Sequence, residues 1–194
     1  RPGHGAAPAA YVRRDGDDMT DIALAIIGGT GLYKLADLQD VTSHEPETRY
    51  GMPSGPVRVG TLGGHRVAFM ARHGEGHSVP PHKVNYRANL AALQALGAQR
   101  VLALNTVGGI TERFGPRVLA CPDQLIDYTW GRISTLSEEP GSEVLHVDFG
   151  HPYTTLLRSK VLAAAAEYRL SLMAWFNFWF NTERRNMYTS NCRN

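Results

Sequence analysis

The chain has 194 residues, 43% hydrophobic and 20% charged, with a formal net charge of +2. That length suits one domain, or one plus tails, with enough chain to bury a core; the near balance of charge and the lack of a basic stripe exclude a nucleic-acid footprint. Two cysteines, Cys121 and Cys192, are too few for a disulfide framework or a Cys-based zinc site, so a reducing, cytoplasmic setting is expected.

Residues 1–18 carry Pro2, Gly3, Gly5 and Pro8 and no apolar run of signal-peptide length. They read as a disordered extension, with Met19 as the natural start. Residues 22–27, Ile-Ala-Leu-Ala-Ile-Ile, are apolar without alternation, as in a strand covered on both faces of an α/β sheet. Gly28, Gly29, Thr30 and Gly31 end that strand. Such a turn exposes backbone N–H groups and can cradle phosphate, and it can equally be a plain tight turn. The spacing is not that of a dinucleotide fingerprint.

Residues 57–62 and 65–70 flank Gly63-Gly64 and predict a hairpin. Its second strand delivers Arg72, His73 and Gly74 at its carboxyl end, where α/β folds place ligands. Residues 85–97 predict a helix, with Tyr86, Leu90, Leu93 and Leu96 at near-helical spacing and Gly97 as its cap. A buried strand over 100–104 follows and runs into Asn105, Thr106, Val107, Gly108 and Gly109. Residues 121–129 predict a strand or strand plus loop, 132–141 a loop, 144–153 a mixed segment with His146 and His151, and 154–167 a helix. The fold class is α/β, a mixed twisted sheet flanked by helices. Residues 168–194 hold no Gly and no Pro, although the first 167 hold all 20 and all 11. The apolar, aromatic run 170–180 reads as a core helix or as sequence that never evolved to fold, and it is far short of a membrane span.

The stretch from Ala71 to His82 concentrates one arginine and three histidines around two glycines. Arg72-His73-Gly74 admits three chemistries. A histidine-phosphatase nucleophile is one, although the triplet lies on a later strand than that chemistry uses. A metal pair is the second, since His73 and His77 are four apart, although Gly74 and Gly76 disfavour the helix it needs. An anion grip is the third, with the guanidinium forking onto oxygens beside a histidine donor. A solvated loop is the plain alternative. His146 and His151 are each compatible with a structural role, and Asp123, Asp127 and Asp148 with turns or caps.

Several motifs occur in order over residues 19 to about 167. They are Ile26-Ile-Gly-Gly-Thr-Gly-Leu-Tyr33, Tyr50-Gly-Met-Pro-Ser54, Ala71-Arg-His-Gly74 with His77, Pro81-His-Lys-Val-Asn-Tyr-Arg-Ala-Asn89, Asn105-Thr-Val-Gly-Gly109, Pro122-Asp-Gln-Leu-Ile-Asp-Tyr-Thr129 and His146-Val-Asp-Phe-Gly-His-Pro-Tyr153. Together they resemble the methylthioadenosine and purine nucleoside phosphorylase family, most closely the bacterial branch that acts on S-methyl-5′-thioinosine. The resemblance implies a nucleoside phosphorylase-like fold and a pentosyl transfer in purine salvage. Phosphate attacks C1′, releasing hypoxanthine and 5-methylthioribose 1-phosphate. Methylthioadenosine or general purine nucleosides are the alternative substrates. It further implies that Thr30, Arg72 and His73 bind phosphate, with Asn105 and Thr106 adding contacts. His146 is placed at the 5′ end of the ribose, typically across a subunit interface. It implies no metal or organic cofactor, inorganic phosphate as co-substrate, and a homotrimer.

Residues 168–194 depart from the family, which continues with a Gly-Pro-Arg-(Leu/Phe)-Glu-Thr motif, a Met-Thr element and a base-recognising segment. The break resembles a frameshifted or mis-joined reading frame. The family domain at 19–167 is then expected to be incomplete, with 168–194 a non-family tail. A reading of another class follows, an inactive truncated fragment able at most to bind phosphate.

Overall fold

The computed structural model describes residues 22–29, 31–32, 34–133, 135–137 and 146–175. The chain divides into two compact units, Arg1–Thr106 and Val107–Asn194.

The first unit is built on five strands, β1 (Leu24–Gly28), β2 (Gln39–His44), β3 (Val57–Leu62), β4 (His65–Ala71) and β5 (Val101–Ala103), in the order β2-β3-β4-β1-β5. β1 runs parallel to both β4 and β5, whereas β3 is antiparallel to both β2 and β4. The expected hairpin is present with its Gly63-Gly64 turn, both residues at positive φ.

Successive residues of β1 face opposite sides, and both sides are covered, which is why its sequence shows no alternation. Ala25 and Ile27 join Val57, Val59, Ala68 and Met70 under Ala92 and Leu93 of the helix α1 (Tyr86–Ala95) and Leu96, its C-cap. Ile26 joins Val67, Phe69 and Ala71 on the other face, packed by Leu32, Leu35 and Leu38. Each fully buried Phe, Met or Leu here is worth about 1.5–3 kcal/mol of transfer free energy.

α1 begins where Asn85 accepts the Ala88 N–H at 3.1 Å on its side chain, a helix cap. It stops in a Schellman motif: Gly97, at φ 90°, donates to Gln94 O, and Ala98 donates to Leu93 O. Asn85→Ala is therefore expected to lower stability by about 1 kcal/mol, read as a lower denaturation midpoint with unchanged slope. Two details differ from the sequence reading. Leu90 is 44% exposed, because the face turned to the sheet is set by Ala88, Asn89, Ala92 and Leu93. β5 is only half-buried at Val101 and Leu102 and exposed at Ala103, because it forms the sheet's edge.

The second unit pairs β6 (Leu119–Pro122) in parallel with β7 (Leu172–Trp175), and α2 (Thr155–Glu167) precedes β7. Arg158 of α2 reaches the end of β6, its Nε donating to Pro122 O at 3.1 Å and its Nη2 to Cys121 O at 3.3 Å. The strand expected within 121–129 thus starts two residues earlier and ends at Pro122. A helix over the apolar run after Leu170 is overturned for residues 172–175, which are a strand, since Leu172 to Trp175 find an open ladder along β6. Residues 176–180 of that run lie outside the described residues.

Among the described residues of this unit the apolar side chains are mostly exposed, Ile110 and Trp130 at 77% each, and Ala165 is the buried hydrophobic. The Cys121 thiol is pushed up from its ordinary pKa by burial, with the Arg158 guanidinium opposing. Burial and the neighbouring Cys121 likewise raise the Tyr153 phenol. The folded state thus holds the Cys121 proton more tightly than the unfolded chain does. That contribution to stability is complete below the unfolded thiol's pKa and is lost as pH rises through the raised value. Peptide-mapped iodoacetamide labelling is expected to modify native Cys121 at a higher pH than urea-unfolded Cys121; equal pH profiles contradict this.

Candidate active site

The site of the first unit lies at the carboxyl ends of three parallel neighbours, β4, β1 and β5. The ladder carries them past their last strand residues in step. Arg72 N donates to Gly28 O at 2.9 Å, and Leu104 N donates to Ile27 O at 2.9 Å. The segments leaving the three strands, beginning at Gly29, Arg72 and Leu104, therefore start side by side. In an open sheet this is where a crevice forms, because chains on either side of the central strand depart in different directions.

Gly29 is the hub. A Cβ there would come within 2.6 Å of Leu104 O, 3.1 Å of Arg72 Nη2 and 3.3 Å of Asn105 Cα. The missing side chain is what lets the guanidinium of Arg72 and the backbone of Asn105 approach the glycine turn together. Arg72 is half-buried, and Asn105 and Thr106 are exposed at the rim.

His73 is 4% exposed and fixed from two directions. Its Nδ1 lies 3.0 Å from Val79 O, while Val79 N donates to His73 O at 2.8 Å. Its Nε2 accepts from Arg72 Nε at 3.4 Å. This pattern assigns the proton to Nδ1 and leaves the Nε2 lone pair facing the guanidinium. His73 therefore orients Arg72 in this arrangement. It becomes a donor to an anion only when Nε2 takes up a proton. His77, in the short turn Glu75–His77, stacks on His73 with ring centroids 4.6 Å apart. Arg58 of β3 forms an ion pair with Glu75 and ties that turn to the sheet. Among the described residues no group of three or more His, Cys, Asp or Glu side chains is gathered as a metal set.

The loop before β3 is tied to the start of α1. Asn85 Nδ2 donates to Tyr50 O at 2.7 Å. Asn89 accepts Ser54 N at 2.7 Å and donates to Ser54 Oγ at 3.0 Å. Sequence reading quoted these residues only as matching motifs. Their signal was two asparagines one helical turn apart, on a helix whose neighbouring positions are apolar.

The structure thus brings Arg72, His73 and Asn105 together, with Thr106 next in the chain. Thr30 lies outside the described residues. His146 belongs to the second unit, where it is exposed in a stretch without regular structure before α2. Among the described residues no helix is long and apolar enough to cross a membrane.

Residues 23–172 match the phosphorylase superfamily. A probable S-methyl-5′-thioinosine phosphorylase of Xanthomonas campestris pv. campestris is 75% identical over 153 residues, covering 79% of this chain and 61% of that protein. A protein of Xylella fastidiosa with the same description is 69% identical over 157 residues, covering 81% of this chain and 66% of that one. Among solved structures, a methylthioadenosine phosphorylase from an antarctic soil metagenomic library superposes with a TM-score of 0.75 at 34% identity, over 83% of this chain and 56% of that one. The chain therefore spans between about half and two thirds of the length of the curated relatives it matches.

Proposed function

The chain belongs to the phosphorylase superfamily, and on that premise we propose that its strand-end site binds inorganic phosphate for the phosphorolysis of a purine nucleoside, S-methyl-5′-thioinosine. The observation that carries this reading is the convergence of Arg72 and Asn105 on the side-chain-free surface of Gly29, at the ends of three parallel strands. A guanidinium beside exposed backbone dipoles is a phosphate receptor.

A phosphate oxygen attacks C1′ of the nucleoside. The C1′–N bond breaks with its electron pair leaving on the purine, which takes up a proton as it departs. The products are hypoxanthine and 5-methylthioribose 1-phosphate. Positive charge develops on the sugar as the bond breaks, so a dianion held close beside it stabilises the transition state more than the ground state. Arg72 holds the anion, and the anion competes with His73 Nε2 for the Arg72 Nε–H. His73 contacts the phosphate directly once its Nε2 has taken up a proton, so that it donates to the anion. Thr30, Asn105 and Thr106 complete the cradle, and His146 reaches the 5′ end of the ribose across a subunit interface. Phosphate is the co-substrate, and nucleophile and leaving group both come from substrates, so the chemistry calls on no metal or organic cofactor. The working assembly is a homotrimer in the cytoplasm. Methylthioadenosine is the alternative substrate, supported by the likeness to a methylthioadenosine phosphorylase of solved structure.

A second reading, a chain that binds phosphate without turning nucleoside over, is favoured by the exposure of Ile110, Trp130, Val147 and Phe149 in the second unit. Phosphate-dependent release of hypoxanthine from S-methyl-5′-thioinosine by the 194-residue chain decides between them. Release that requires phosphate supports the enzyme. Phosphate binding with no release of base from this substrate, methylthioadenosine or inosine supports the second reading.

A further inference from the structure

The buried asparagine of α1 is not used by the chemistry above, yet both ends of its side-chain amide are hydrogen-bonded. Asn89 is 2% exposed among Ala88, Ala92 and Leu93. Burying an amide is unfavourable unless its groups are paired, and an apolar residue would pack there without that demand. Both ends of the Asn89 amide are engaged by one residue, Ser54, through its backbone N–H and its hydroxyl. One turn earlier, Asn85 holds Tyr50 O. The segment from Tyr50 to Ser54 is thus fastened at both ends to the start of α1.

What that segment touches gives the fastening its consequence. A Cβ on Gly74 would lie 2.8 Å from Ser54 O, and a Cβ on Gly55 would lie 3.6 Å from Gly74 Cα. The two backbones meet at Gly74, the residue directly after Arg72 and His73. Gly74 N in turn donates to Ala71 O at 3.0 Å, closing the turn that carries the pair.

We propose that Asn89 is a positioning residue for phosphate, acting through Ser54 and Gly74 on the Arg72–His73 turn. The proposal rests on the phosphate reading of that turn. Asn89→Ala leaves the Ser54 N–H without its partner and frees the segment from Gly74, so the guanidinium loses its fixed position. The contact is made by backbone, so no side chain of the segment compensates.

The test is calorimetric titration of the 194-residue chain with inorganic phosphate, alongside circular dichroism to establish folding. Asn89→Ala is expected to weaken phosphate binding about tenfold or more, and Ser54→Ala, which keeps the Ser54 N–H bond to Asn89 Oδ1, by a smaller factor of about three. Leu93→Ala is the control for general destabilisation. It opens a cavity beneath the same helix without touching the segment, and is expected to lower the melting temperature while leaving phosphate affinity unchanged. A folded Asn89→Ala chain with undiminished affinity overturns the proposal. So does a Leu93→Ala chain that loses as much affinity as Asn89→Ala, because the effect is then not positional. If Asn89→Ala does not fold, Ser54→Ala carries the test, and unchanged affinity there overturns the proposal. No saturable binding by the unsubstituted chain overturns the phosphate reading itself, and is told apart because it involves no substitution.

Discussion

Arg72→Ala is expected to weaken phosphate binding by roughly one to two powers of ten while leaving the sheet folded. The size follows from the removal of a charged donor to a bound anion, worth about 1.5–3 kcal/mol, at about 1.4 kcal/mol per tenfold in affinity. The folded state has little reason to suffer. The Arg72 side chain is half-buried, and the backbone bond from its N–H to Gly28 O survives the substitution. Arg72→Lys is expected to recover only part of the affinity, since a point charge cannot reproduce a planar fork or the bond to His73 Nε2. Titration calorimetry checks both. Undiminished affinity in a folded Arg72→Ala chain removes the arginine from the role.

Gly74→Ala is expected to be the most damaging single change to the fold of the site. Gly74 has φ 70° and ψ 178°, a region that essentially only glycine occupies. Forcing an alanine there costs about 1–3 kcal/mol in backbone strain. Its methyl would also come within 2.6 Å of Ser78 Oγ and 2.8 Å of Ser54 O. The serine hydroxyl can rotate away, but the carbonyl belongs to a segment tied down by Asn89, so overpacking adds about 1–3 kcal/mol more. Against a total stability of about 5–15 kcal/mol for a domain, the sum is a large fraction. Gly76→Ala is the matched comparison. Gly76 sits at φ 63° with nothing within 4 Å of a would-be methyl, so only the left-handed backbone penalty of about 1 kcal/mol remains. Urea midpoints of the two variants measure the difference, and equal losses contradict the packing account.

The parts of the fold that announced themselves in the sequence were those with a strong physical signal. Residues 22–27 showed an uninterrupted apolar run because both faces of β1 are covered. The hairpin was legible because its Gly-Gly turn needs positive φ at both positions. α1 carried a capping asparagine and a terminal glycine. β2 carried no such signal. Its residues, Gln-Asp-Val-Thr-Ser-His, are almost all exposed at the sheet's outer edge and bulged near Asp40, so neither hydrophobicity nor alternation marked them. β7 was missed for the opposite reason, since a short apolar run suits a buried helix as well as a strand until its partner is known.

The site divides in the same way. Arg72 and His73 stood out because a charged pair after an apolar strand is conspicuous. That they would meet Asn105 was legible only through the family resemblance, because contact across β1 depends on the strand order. The Ser54–Asn89 bonds span 35 residues, and nothing local in either stretch announces the other.

The most direct measurement of the central claim is a titration of the unsubstituted 194-residue chain with inorganic phosphate by calorimetry, repeated with the Arg72→Ala chain. One saturable site in the first and a binding curve displaced by about tenfold or more in the second is the predicted result. No saturable binding, or binding equal in the two chains, contradicts the assignment of the strand-end site to phosphate.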